Sequence, residues 1–304
     1  ASKNTPNIFV LKKDKNMDLK VTKSKLNGNI LIPRSKSHTI RALLFALLVD
    51  DISYIENPLV SIDTISALET VILLGAKVEE QIDDYGLTWK VTGVGRNLKR
   101  PEDGKLFLGN SGTTLAFSIG LLSACGIEVE LDGDDSLRSR SMLPLISSIR
   151  ELGGVIECEK DGKCPIKICA KMRGGTTSIE SFSSQFLSAL LISTPLLEND
   201  TKIIVKSLNE VPYIDMTLDW LEELGIELSF EEYYSVFYVK GNQKYKRFEK
   251  EMSGDFSTSL FPLVATAITD GNVNLLGLDF NDFQGDKEIF NIASKMGVIV
   301  NKSE

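Results

Sequence analysis

Apolar positions along the chain recur in a fourfold rhythm. Met142, Leu145, Ile146 and Ile149 mark one face of a helix, and Ile289, Ile292, Ala293 and Met296 repeat that spacing further on. Four amphipathic runs end in a glycine followed by strand-like residues, at Leu74-Gly75, Leu152-Gly153, Leu224-Gly225 and Met296-Gly297. These glycines lie 78, 72 and 72 residues apart, and each is the expected C-terminal stop of its helix. Ahead of every amphipathic helix lies a segment that is apolar nearly all round, at 42–48, 115–122, 186–192 and 260–268. Such a pattern predicts a helix buried on every side. Between the two helices of each copy sits a strand-like stretch, at 52–55, 127–131, 202–205 and 272–276, and hairpins follow at 77–91, 155–169 and 227–239. The repeating unit is therefore loop, buried helix, strand, amphipathic helix, strand hairpin. Chance alternation of helix and strand is the competing explanation, but agreement of four copies in both helix types and in spacing favours a repeat. The fourth copy stops at Lys302-Ser303-Glu304, where its turn is expected, so the sequence reads as a fragment truncated at its C-terminus.

Composition narrows the class. With 42% hydrophobic and 25% charged residues the chain is globular in type, and its 304 residues suggest two domains at about 150 residues each. The net charge of −8 argues against a nucleic-acid surface. An anionic ligand would have to be held by a local cluster of donors, which points to small molecules. Cys125, Cys158, Cys164 and Cys169 show no paired CxxC spacing and His38 is the sole histidine, so no metal site is expected. The three close cysteines fall on two predicted strands around Lys160-Asp161-Gly162-Lys163 and read as buried or edge thiols in a reducing compartment. No apolar run reaches about 18 residues and no cationic, apolar, small-residue leader opens the chain. A cytoplasmic protein with no membrane partner is expected. Residues 1–16 read as an extension, because patterned sequence begins near Met17.

The candidate chemistry sits in the loops that open the buried helices. The first contains Ser35-Lys36-Ser37-His38 and Arg41, the second Gly109-Asn110-Ser111-Gly112-Thr113-Thr114, the third Ser183-Ser184-Gln185-Phe186. Each puts hydroxyls and uncommitted backbone N–H groups at a helix N-terminus, where an anion can bind. Any one of them is equally well an ordinary N-cap. Three at equivalent places in a repeat allow one ligand to be gripped by several helix ends. Lys36 and Arg41 oppose the helix dipole in the opening turns, an arrangement that an anion would compensate. Arg41 could clamp a carboxylate while Lys36 meets phosphate as a point charge. A further basic pair, Arg138 and Arg140, precedes the second amphipathic helix and is as readily a solvated pair as a ligand site. His38 reads as exposed or capping, with no carboxylate partner in view. Elbow, P-loop and dinucleotide fingerprints are missing from the sequence.

Together these motifs resemble the enolpyruvyl transferases, and among them the branch that acts on shikimate 3-phosphate. The resemblance rests on Pro33 with Ser35-Lys36-Ser37 and Arg41-Ala42-Leu43-Leu44, on Gly109 to Thr114, on Ser183-Ser184-Gln185-Phe186-Leu187 and on Pro212-Tyr213-Ile214-Asp215-Met216-Thr217. Gly254-Asp255 with Ser257, and Gln284-Gly285-Asp286, follow in the family's order. The glycine-rich loop with a reactive cysteine found in the UDP-N-acetylglucosamine branch has no counterpart.

What the resemblance implies is an α/β fold, an inside-out α/β barrel of βαβαββ repeats. Six units of about 72 residues would need roughly 430 residues. On that topology 33–242 forms a complete three-repeat domain, while 17–32 with 243–304 forms an incomplete one. The implied reaction transfers the enolpyruvyl group of phosphoenolpyruvate to the 5-hydroxyl of shikimate 3-phosphate and releases phosphate, a step of aromatic amino-acid biosynthesis needing no cofactor or metal. By the resemblance Lys36 is catalytic and touches both substrates. Ser37, Arg41, Ser183, Ser184, Gln185 and Tyr213 bind shikimate 3-phosphate, with Ser183 and Ser184 on its phosphate. Asn110, Gly112, Arg140 and Gln185 serve phosphoenolpyruvate. The general acid and base are expected beyond residue 304, which makes this chain an inactive fragment. Departures from the family pattern are Ser136 and Ala116 in place of arginines, Glu210-Val211 in place of a Ser-Lys pair near the phosphate, and Arg34 at a usually small position. The family is usually monomeric, whereas an unpartnered fourth unit is expected to leave 260–268 disordered or self-associating. A non-catalytic module binding a phosphorylated metabolite, and a carboxyvinyl transferase with another acceptor such as UDP-N-acetylglucosamine, share these motifs.

Overall fold

The first repeat of the computed structural model, which describes residues 24–302, opens with β1 (Asn27–Leu31) and α1 (Lys36–Leu48). It continues through β2 (Ile52–Glu56), α2 (Ile62–Leu73), β3 (Lys77–Asp83) and β4 (Gly86–Thr92). The second contains β5 (Lys105–Phe107), α3 (Gly112–Cys125), β6 (Val129–Asp132), a single turn α4 (Asp135–Arg138), α5 (Leu143–Glu151), β7 (Val155–Glu159) and β8 (Lys163–Ala170). The third contains β9 (Gly175–Ser181), α6 (Ser184–Ser193), β10 (Thr201–Leu208), α7 (Val211–Glu223), β11 (Leu228–Phe230) and β12 (Val236–Val239). A fourth contains β13 (Glu249–Glu251), α8 (Phe256–Ile268), β14 (Asn272–Leu276) and α9 (Glu288–Lys295). Residues 1–16, expected to be an extension, lie outside the described residues.

The four glycine stops adopt the left-handed conformation, with φ of 110° at Gly75, 89° at Gly153, 75° at Gly225 and 98° at Gly297. Only glycine enters that region without strain, so each ends its helix where the apolar run ends. Helices α1, α3 and α6 are buried along nearly their whole length. Gly120 lets α3 approach α6 closely: a Cβ there would stand 2.8 Å from the Ala189 carbonyl of α6. Around these helices stand three four-stranded sheets, ordered β13-β2-β4-β3, β5-β6-β8-β7 and β11-β12-β10-β9. Each has one parallel pair next to two antiparallel ones. Their inner faces, for example Ile55, Trp89 and Val91 or Ile203, Phe237 and Val239, join the same apolar cluster as the helices. Burying that surface is the main driving force for the three-unit body.

Units one and four exchange their first strands. β1 pairs in parallel with β14, from Asn27 opposite Asn272 to Leu31 opposite Leu276, while β13 pairs in parallel with β2. The two chain segments pass each other antiparallel, linked by Ser35 N–H to the Ser253 carbonyl at 2.8 Å and Asp255 N–H to the Pro33 carbonyl at 2.8 Å. Arg34 donates across the same crossing to Glu251 at 2.6 Å. A second, smaller apolar cluster gathers Phe256, Leu263 and Phe290 beyond it.

Three expectations are corrected. Helix α8 is not buried on every side: Phe261 and Ile268 are each 76% exposed. The segment 260–268 is nonetheless helical, not disordered, because Asp255 caps α8 through Thr258 N–H at 2.7 Å and Phe256 anchors the first turn. Residues 298–300 form no strand, since no neighbouring strand among the described residues pairs with them. All four cysteines are free, and burial pushes the Cys125 thiol up to about 12. Among the described residues no helix is long and apolar enough to cross a membrane, and no cluster of three His, Cys, Asp or Glu side chains is placed to hold a metal ion.

Candidate functional site

The first turns of α1, α6 and α8, with Thr113 of α3, surround a cavity of about 720 Å³. Repetition explains the convergence: helices that occupy equivalent places in equivalent units aim equivalent ends at a common centre. Six of the residues singled out in the sequence line it, namely Lys36, Ser37, Arg41, Ser184, Gln185 and Tyr213. A larger cavity of about 820 Å³ lies against β10 to β12 and α7, away from these helix ends.

Arg41 is the most constrained of these residues. It is 2% exposed, and its guanidinium donates to Thr217 Oγ1 at 3.0 and 3.1 Å, to the Ser37 carbonyl at 3.2 Å and to the Tyr213 carbonyl at 3.2 Å, with the Phe117 ring 5.2 Å away. All these partners are neutral, and among the described residues no carboxylate pairs with it. Burial therefore draws its pKa down to about 10, with the Tyr213 hydroxyl opposing. A buried cation with no counter-charge at the wall of a polar cavity calls for an anion.

The other cation of α1 is engaged. Lys36 Nζ donates to Asp63 of α2 at 3.2 Å, with both side chains part exposed. Tyr213 stands at the start of α7, and its hydroxyl titrates above the ordinary range through burial and the nearby Asp286.

Asn110, Gly112 and Arg140 gather beside the cavity without lining it. Arg140 Nη2 donates to Asn110 Oδ1 at 2.7 Å, and a Cβ on Gly112 would stand 2.7 Å from Arg140 Nη1, the movable end of that side chain. Gln185 joins this group to the cavity by donating to Thr113 Oγ1 at 3.1 Å. Ser111, the residue before α3, makes no side-chain cap. Arg138 points elsewhere, paired through two nitrogens with Asp132.

At α6 the donors are occupied. Glu210 Oε2 accepts from Ser184 N–H and from Ser184 Oγ, both at 2.9 Å, and from Ser183 Oγ at 3.4 Å. Its occupancy of this helix end was not legible from its place in the sequence, because 26 residues separate it from Ser184.

The reading of His38 is corrected. The ring is 6% exposed, not solvated, and Nε2 lies 3.1 Å from Asp282 while Nδ1 accepts the Trp220 indole N–H at 2.9 Å. The crossing of units one and four brings Asp282 over the start of α1, which no local pattern reveals.

Cavity, helix ends and repeat make a candidate site for a small anion on a repeated α/β scaffold. The sequence profile of EPSP synthase (3-phosphoshikimate 1-carboxyvinyltransferase) matches residues 21–304, so the chain belongs to that family. A curated relative called 3-phosphoshikimate 1-carboxyvinyltransferase from Acetivibrio thermocellus is 45% identical over 288 residues, covering 93% of this chain and 66% of the relative. One of the same description from Ruminiclostridium cellulolyticum is 38% identical over 284 residues, covering 92% and 65%. The chain thus spans just under two thirds of the length of these relatives. The solved EPSP synthase of Acinetobacter baumannii superposes with a TM-score of 0.76 at 24% identity, over 93% of this chain and 63% of that one. The fold is the inside-out α/β type of that structure.

Proposed function

We propose that the protein transfers the enolpyruvyl group of phosphoenolpyruvate to the 5-hydroxyl of shikimate 3-phosphate and releases phosphate. The observation that carries this reading is Arg41, a buried guanidinium with no carboxylate partner among the described residues, facing a cavity ringed by helix N-termini. Arg41 and Ser37 hold the ring of the acceptor, Tyr213 lines it, and Ser183 and Ser184 meet the 3-phosphate. Lys36 leaves Asp63 to bridge the anionic groups of both substrates and acts in the chemistry. Asn110, Gly112 and Arg140 take phosphoenolpyruvate, with Gln185 lying against both ligands.

In this reading the 5-hydroxyl adds to C2 of phosphoenolpyruvate, giving up its proton to a base as C3 gains one, and the tetrahedral adduct then expels phosphate as C3 loses a proton to restore the double bond. The chain's own contribution is to fix two anions side by side and to offer preset donors to their charges. No cofactor or metal enters the scheme, and we place the protein in the cytoplasm as a monomer.

Calorimetric titration with shikimate 3-phosphate tests the acceptor, and phosphate release from phosphoenolpyruvate with and without it tests the reaction. Saturable binding by this chain is expected, and acceptor-dependent release by a protein that also carries the family's general acid and base. Release driven by UDP-N-acetylglucosamine instead would overturn the acceptor, and binding without release by that protein would favour a metabolite-binding module.

A further inference from the structure

We propose that Glu210 is an internal anion seated in the phosphate cradle, and that acceptor binding requires its carboxylate to withdraw from Ser183 and Ser184. This rests on the acceptor assignment above. One oxygen of Glu210 collects three donors: the Ser184 N–H, the Ser184 hydroxyl and the Ser183 hydroxyl. Those are the donors that the function proposed here gives to the 3-phosphate. Among the described residues no lysine or arginine side chain pairs with Glu210, so the opening of α6 alone holds the carboxylate there. A helix N-terminus favours an anion, but it cannot serve a carboxylate and a phosphate through the same atoms, and two like charges in one cradle repel.

The departure is simple: Glu210 is solvent-exposed, on a flexible side chain at the rim of the cavity. The residue therefore determines specificity through competition. A phosphorylated acceptor must displace it, whereas the unphosphorylated compound does not. Glu210 narrows the advantage that the phosphate gives its own substrate.

The test compares the full chain with E210S and E210Q by calorimetry, using shikimate 3-phosphate and shikimate. For E210S, affinity for shikimate 3-phosphate should rise about tenfold or more, with shikimate affinity changed by less than about threefold. E210Q, which keeps the shape and loses the charge, should fall between. Equal or weaker binding of shikimate 3-phosphate by E210S overturns the proposal.

Failure of every variant to bind either compound would instead remove the acceptor assignment, and inorganic phosphate then decides the role of Glu210. Followed by amide chemical shifts, phosphate should perturb Ser184 and Gln185 saturably in E210S, at concentrations about tenfold below those needed in the parent chain. Equal responses of the two chains overturn the proposal. Unchanged dispersion of the remaining amide signals verifies that both are folded.

Discussion

His38 Nε2 lies 3.1 Å from Asp282, a residue 244 positions away. Because Nδ1 accepts the Trp220 indole N–H, the proton of the neutral ring sits on Nε2 and is donated to the carboxylate. Asp282 also accepts the Ser253 hydroxyl and the Gln284 amide, the latter at 2.8 Å. Burial pushes this carboxyl upward, but the His38, Ser253 and Gln284 donors outweigh it and hold Asp282 below the ordinary carboxylate range. A depressed carboxylate contributes stability that is complete above its unfolded value, about 3.9, and is lost as pH falls toward the folded value. Asp282→Asn should therefore destabilise the chain by about 1–3 kcal/mol near neutrality in urea unfolding. The gap between the two proteins should narrow below about pH 4. A gap that stays constant through that range would show that the charge of Asp282 is not what stabilises the crossing.

Arg41 offers its planar fork to three neutral acceptors and, in the proposed function, to the acceptor substrate. Arg41→Lys retains the charge but cannot reproduce that fork. Calorimetry should find shikimate 3-phosphate bound at least about tenfold more weakly. Undiminished affinity would remove Arg41 from the site.

Two glycines should respond to alanine for opposite reasons. A Cβ on Gly93 would meet the carbonyls of Ala46 and Val49, each at 2.1 Å, at the C-terminal end of α1. Backbone atoms there cannot swing aside, so Gly93→Ala should cost about 3 kcal/mol. Gly153 has open space around it and only its φ of 89° to oppose a side chain, so Gly153→Ala should cost about 1–2 kcal/mol. Denaturant unfolding of the pair reads the ranking directly, and the reverse order would contradict the close approach at Gly93.

Ser118 lies inside α3, fully buried, with no partner for its hydroxyl among the described residues. An unpaired buried hydroxyl costs free energy that alanine does not. Ser118→Ala should raise stability by about 1 kcal/mol, seen as a higher thermal midpoint. A lower midpoint would mean that the hydroxyl is hydrogen-bonded after all.

Local chemistry carried the sequence reading a long way. A glycine after an amphipathic run can only stop the helix, so Gly75, Gly153, Gly225 and Gly297 were legible as boundaries. The wholly apolar runs marked the interior helices, although α1, α3 and α6 begin two to six residues before those runs because their first turns are polar. Lys36, Ser37, Arg41, Ser184 and Gln185 could be picked out from the loops that open the buried helices, since hydroxyls and cations in opening helical turns suit an anion, whereas Tyr213 was named only through the family resemblance.

What the sequence determined by itself was the repeat: its elements, their order and the helix ends that carry the chemistry. These depend on contacts a few residues apart, which propensity, capping and periodicity record. Tertiary structure alone decided the exchange of β1 and β13 between units one and four, the exposure of α8, the burial of His38 against Asp282 and the seat of Glu210 on Ser184. Each depends on which distant segment fills a given place. A strand's pattern specifies which face it buries, not which partner it pairs with, and an exposed glutamate carries no mark of the helix end it will cap.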